Sequence, residues 1–182
     1  MTPLFSSAFQ GTKIDIDLAE DPRPRNRMSD QLRAICQYAC VRRETSIGPS
    51  ILIIRFVLGF SPEDTVKMLR RTMDAIKYRL AMTRREINVF LASPEKLRSV
   101  ANIQGRLFGE MAMVESGPHI QEELRRLVFS NPIGECPAPG EIEKFYSAGT
   151  SPLPRKRLAH LAGCKVCLER TALRLGIAVP WD

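Results

Sequence analysis

The run from Ser50 to Leu91, SILIIRFVLGFSPEDTVKMLRRTMDAIKYRLAMTRREINVFL, constrains the fold of this chain more than any other stretch. Residues Ile51 to Leu58 are apolar on nearly every side except at Arg55, which predicts a buried core helix, and Gly59 can end it as a left-handed cap. Ser61 stands where an N-cap belongs, Pro62 suits the first helical position and Asp64 the third, so a short second helix should start there and end near Leu69. Arg70 and Arg71 make a turn, and Thr72 can cap a third helix. In that helix Ile76, Leu80, Thr83 and Ile87 share one face and must pack inward, while Asp74, Lys77, Tyr78, Ala81 and Arg85 lie opposite.

The rest of the chain extends this pattern. The run Asp21-Pro22-Arg23-Pro24-Arg25 is incompatible with a helix, so residues 1–27 read as a flexible arm without evident chemistry. From Ser29 to Phe90 the pattern is helical, with short breaks expected around Gly48-Pro49 and at Gly59, and no alternating strand appears anywhere. The fold class is therefore all-α. Residues 28–95 form the first domain in this reading and 96–131 a helical connector with one helix at Ile120 to Phe129. The Pro- and Gly-rich patch from Asn131 to Gly140 then opens a module over 132–176 built on a further helical pair.

A net charge of +7 and a pI of about 9.5 favour a polyanionic partner, of which nucleic acid is the commonest. The N-terminus lacks the pattern of a secretory signal and no apolar run reaches membrane-spanning length, so a cytoplasmic protein without membrane contact is expected. In a reducing compartment five cysteines point to buried thiols, a metal site or a redox switch rather than to a disulfide framework.

The segment FSPEDTVKMLRRTMDAIKYRLAMTRREI resembles region four of an extracytoplasmic-function (ECF) sigma factor. The apolar helix, the Gly, the Ser-Pro-Glu-Asp start, the tight turn and Ala75-Ile76-Lys77-Tyr78-Arg79-Leu80 match in register over about 30 to 92. Arg70 departs from the family's turn Gly and Val66 from its small Ala; an arginine forced into the left-handed region costs on the order of 1 kcal/mol. The resemblance implies a helix-turn-helix that reads the promoter −35 element and touches RNA polymerase. Arg70, Arg71, Thr72, Lys77 and Arg79 would then flank or hold phosphates, and Asp74, Tyr78 and Arg85 would reach base edges. No counterpart of region two is legible upstream, so another polypeptide would have to supply that part.

The C-terminal part carries a second pattern, His160-x3-Cys164-x2-Cys167, with Cys136 upstream. On one helix these offsets place the imidazole and two thiols within a stripe about 60° wide, and Cys136 supplies a fourth ligand for tetrahedral zinc. Four protein ligands leave no open position, which makes the zinc structural rather than catalytic. Cys136-Pro137, Phe145-Tyr146, Gly149 and the His-x3-Cys-x2-Cys run resemble the zinc-binding domain of anti-sigma factors. The resemblance implies a module that clamps a sigma factor, in some members released by thiol oxidation.

Cys36 and Cys40 stand one helical turn apart without a nearby His or Cys and read as buried thiols, and His119 as a surface residue. There is no phosphate-cradling Gly loop and no nucleophile-base pair, so an enzyme is not expected. The expected function is a DNA-binding regulator of transcription initiation, with promoter DNA, core polymerase and another sigma or anti-sigma protein as partners. The alternative is an anti-sigma-like module that binds a sigma factor and no longer reads DNA.

Overall fold

The computed structural model describes residues 25–93 and 106–181, and every regular element among them is a helix. The arm expected over 1–27 falls largely outside the described residues, as do the last two residues of the first domain, 94–95, and the first part of the connector, 96–105. Helix α1 spans Arg25–Arg42, α2 Ile47–Leu52, α3 Pro62–Leu69 and α4 Met73–Leu91. After a helical stretch over 106–112 (α5) come α6 at Ile120–Phe129, α7 at Glu141–Ser147, α8 at Arg155–Leu161 and α9 at Lys165–Leu175.

The core helix differs from its expectation in two ways. The break before it falls at residues 43–46, and Gly48-Pro49 lies inside the first turn of α2. Proline is tolerated there because first-turn N–H groups have no intrahelical partner. Gly48 is required for a different reason: a Cβ on it would lie 1.8 Å from Thr83 Oγ1, so α2 and α4 touch at backbone distance. From Ile53 to Val57 the helix widens into a π turn, with Leu58 N–H bonded to Ile53 O at 2.8 Å. The carbonyl of Phe56 accepts from Gln121 Nε2 of α6 at 3.0 Å, and Gly59 ends the turn at φ +85°.

Capping defines the next two helices. Ser61 Oγ accepts from Asp64 N–H at 3.0 Å to start α3, and Thr72 Oγ1 accepts from Ala75 N–H at 3.2 Å to start α4. Between them Arg70 adopts the left-handed conformation, φ 51° and ψ 48°, the one non-glycine residue with positive φ among the described residues. Ile76, Leu80, Thr83 and Ile87 are buried, as their spacing predicts.

The C-terminal region holds three helices rather than a pair. Pro154, extended at φ −61° and ψ 146°, separates α7 from α8, and residues 162–164 separate α8 from α9. Gly163 in that second break abuts Arg43, whose Nη1 would lie 2.4 Å from an added Cβ. Buried side chains from α1 to α9 form one continuous core. Trp181 packs edge-on against Phe60 and Phe129 at 5.6 and 5.5 Å, tying the C-terminus to the α2–α3 corner and to α6.

Candidate functional site

Cys136, His160, Cys164 and Cys167 converge, with one donor atom from each lying within 4.8 Å of every other. The convergence does not come from a single helix stripe. His160 sits in the last turn of α8, Cys164 is the extended residue capping α9, and Cys167 is in the first turn of α9. The chain turns between them, which points Cys164 at Cys136 in the loop before α7. Gly163, inside that turn, leaves room for the Arg43 guanidinium.

The geometry within the cluster suits a tetrahedral cation. Cys136 Sγ and Cys164 Sγ are 3.7 Å apart, far beyond a disulfide bond and close to the roughly 3.8 Å separating two thiolates bound at about 2.3 Å to one tetrahedral ion. His160 Nε2 stands 3.3 Å from Cys167 Sγ, against about 3.6 Å for an imidazole and a thiolate on the same ion. The widest pair would close by about 1 Å on binding, within the reach of a cysteine rotamer.

The tautomer of His160 follows from its second contact. Nδ1 lies 2.7 Å from the Ile133 carbonyl, which can only accept, so Nδ1 carries the proton and Nε2 keeps its lone pair toward the thiols. Burial, then the Cys164 and Cys136 thiols, push the Cys167 thiol up to about 12. A thiolate here therefore needs a cation beside it. The residues present can hold a metal ion with all four positions filled by protein, two ligands buried and Cys136 on the exterior.

Ion pairs and hydrogen bonds brace the surrounding helices. Glu141 pairs with Arg157 and accepts from Ala138 N–H at 3.0 Å, Arg170 pairs with Glu143 at 3.1 Å, and Arg174 donates to Ser147 Oγ at 2.8 Å. The same region is bonded to α3. Tyr146 O–H donates to Met68 O at 2.6 Å, and Leu153 N–H donates to Leu69 O at 3.0 Å. The Arg70 guanidinium lies 4.8 Å from the Phe145 ring centre and 5.1 Å from that of Tyr146.

The proposed contact residues of the α3–α4 unit therefore divide into two groups. Arg70 is turned back onto α7, Arg71 is half-buried and Thr72 is a cap. Asp74, Lys77, Tyr78, Arg79 and Arg85 are exposed on α4, with Tyr78 at 62% the most open of its apolar positions. Two further exposed side chains, Met82 and Val89, continue the line of Tyr78 along the helix. Their 3.6-residue spacing from Tyr78 was available in the sequence, but charged neighbours masked it.

Cys36 and Cys40 are buried in α1 and lie outside the metal cluster, as their lack of partners in sequence predicts. The hydrogen bond to Cys40 and burial push the Cys36 thiol up, so it stays protonated. His119 is exposed and pairs with Glu122 at 3.4 Å. The Ile133 carbonyl is the one partner of the cluster that no sequence reading could supply, because any residue type offers it. No helix among the described residues is long and apolar enough to cross a membrane. No protein-family profile, curated protein or solved structure matches the chain.

Proposed function

We propose that the protein is a DNA-binding regulator of transcription initiation, resembling region four of an ECF sigma factor, with a structural zinc module fused behind its helix-turn-helix. The observation that carries this reading is the pairing of two capped helices, α3 and α4, across a three-residue turn, with the outer face of α4 open. Lys77, Arg79 and Arg85 on that face make no ion pair among the described residues, Tyr78 is exposed beside them, and the net charge of +7 favours a phosphate backbone. Lys77 and Arg79 would hold phosphates, and Asp74, Tyr78 and Arg85 would read base edges of a −35-like element. Core polymerase is the second partner in this reading.

Zinc is the metal whose bond lengths and preference for sulfur and nitrogen best fit Cys136, His160, Cys164 and Cys167. When bound, it supplies folding energy rather than chemistry, on the order of 10 kcal/mol in small structural sites. The chain's own residues do the remaining work. Tyr146, Leu153 and Phe145 hold the end of α3 and the Arg70 turn.

One observation favours the second reading, an anti-sigma-like module that binds a sigma factor and does not read DNA. Arg70, in the position of the family's turn glycine, is engaged by aromatic rings of the zinc module and is withdrawn from any duplex. Selection of bound sequences from a randomised duplex library with the zinc-loaded full chain separates the two. Enrichment of a short motif supports the promoter reader. An unenriched pool, together with co-purification of a sigma factor, supports the protein-binding module.

A further inference from the structure

One buried side chain outside the cluster of three cysteines and a histidine reaches both stretches of chain that carry it. Arg43, in the turn after α1, is 2% exposed, and no carboxylate pairs with it among the described residues. Its Nη2 donates to the Asn131 carbonyl, while Nε and Nη1 have no hydrogen-bond partner among the described residues. A buried cation in that state costs stability rather than adding to it, so packing alone gives no reason for an arginine here.

The surroundings of Arg43 supply one. Asn131 begins the loop that leads to Cys136, and two residues on the Ile133 carbonyl accepts from His160 Nδ1 at 2.7 Å. On its other side the guanidinium lies against Gly163, where a Cβ would collide with Nη1, and Gly163 directly precedes Cys164. A planar, forked group can serve both at once, Nη2 toward the loop and Nη1 toward the turn, which neither a lysine nor a methionine of similar length can do. Arg155 of α8 donates to Thr45 O at 3.0 Å and keeps the same stretch of chain beside the module.

We propose that Arg43 is the positioning residue of the metal centre: it fixes the segment 131–133 and the turn at Gly163 so that Cys136, His160 and Cys164 stay within reach of one ion. This rests on the metal reading of the four residues and not on the DNA reading of α4. Partners that orient metal ligands from outside commonly carry about 10–100-fold in metal affinity. Because Tyr38 of α1 also bonds Glu86 of α4 at 3.0 Å, Arg43 ties the centre to the helix on which α4 rests.

The full chain tests this with zinc and cobalt(II) alone as probes. Zinc affinity is measured by competition with a chromophoric chelator, and the geometry of the loaded centre by the visible absorption of cobalt(II), which is intense in tetrahedral surroundings. Arg43→Met should lower zinc affinity by about 10–100-fold and weaken the cobalt absorption at saturation. Gly163→Ala keeps the arginine, drives a Cβ into its guanidinium and should lower the affinity too, and in the Arg43→Met background its further loss should shrink to about half or less, because the group it displaces is gone. Gly48→Ala loosens the α2–α4 contact instead and should leave affinity and spectrum as they are, which separates positioning from stability. A zinc affinity within about twofold of the parent's in both single variants, an unaltered cobalt spectrum in Arg43→Met, or additive losses in the double variant would each overturn the role of Arg43. A parent chain that takes up neither metal would overturn the metal reading, and this proposal with it.

Discussion

Replacing Arg70 tests how the turn between α3 and α4 is held, because two opposing terms meet at that residue. Its left-handed backbone costs any side chain with a Cβ about 1 kcal/mol. Its guanidinium, set against the Phe145 and Tyr146 rings, recovers about 1–2 kcal/mol in a half-buried setting. Arg70→Ala keeps the strain and loses the rings, so it should destabilise by about 1–2 kcal/mol. Arg70→Gly loses both and should cost about 0–1 kcal/mol, leaving glycine more stable than alanine by about 1 kcal/mol.

Urea unfolding of the zinc-loaded chain reads this difference through Trp181, the single tryptophan, which touches Phe60 and Phe129. At a slope of about 2 kcal/mol per M, the glycine midpoint should lie about 0.5 M above that of alanine. In a Phe145→Leu background the cost of Arg70→Ala should drop by about half. Equal midpoints for the alanine and glycine variants would refute the strain argument, and a costless Arg70→Ala would refute the ring contact.

Metal analysis should find one zinc per chain, lost in Cys164→Ser and retained in Cys36→Ser, and a strong chelator should reduce far-ultraviolet helicity as α7–α9 loosen. Gly48→Ala should destabilise by about 1–3 kcal/mol in thermal unfolding, because Thr83 Oγ1 is held by its bond to Arg79 O and cannot withdraw; a Gly48→Ala/Thr83→Ala double variant should recover part of the loss. Burial, with Glu86 as a hydrogen-bond acceptor, pushes Tyr38 up to about 12, and burial does the same for Tyr146 against the opposing Arg70 charge. Their contribution to stability is thus full below pH 10, where the unfolded tyrosine keeps its proton, and is lost as pH rises from 10 through 12, which a urea series across that range checks. If DNA is bound, Lys77→Ala should weaken all sequences alike and lower the salt slope by about 1, whereas Tyr78→Ala or Arg85→Ala should change sequence preference in a competition assay.

Local chemistry made much of this fold legible before any coordinates. Ser61 and Thr72 each bond a backbone N–H three residues on and Pro62 fixes its own φ at the first helical position, so the starts of α3 and α4 follow from short-range effects alone. The inward row from Ile76 to Ile87 follows from helical periodicity, and the four residues that can hold a metal ion from their types and spacing. The split of the ligand run between α8 and α9 was not legible. The turn at residues 162–164 carries no proline, and its Gly163 lies against Arg43, distant in sequence.

By itself, then, the sequence determined the all-helical class, the capped α3–turn–α4 unit and the quartet able to hold a metal ion, because caps and periodicity are carried by residues a few positions apart and ligand chemistry by residue type. Only the tertiary structure decided that the metal module packs on α3 through Tyr146 and Leu153, that Arg70 turns to the rings instead of outward, and that an Ile133 carbonyl sets the His160 tautomer. Those contacts join residues 27 to 84 positions apart. No local pattern encodes them, because their partners are backbone carbonyls and ring faces that many residues supply, and packing into one core selects which of them meet.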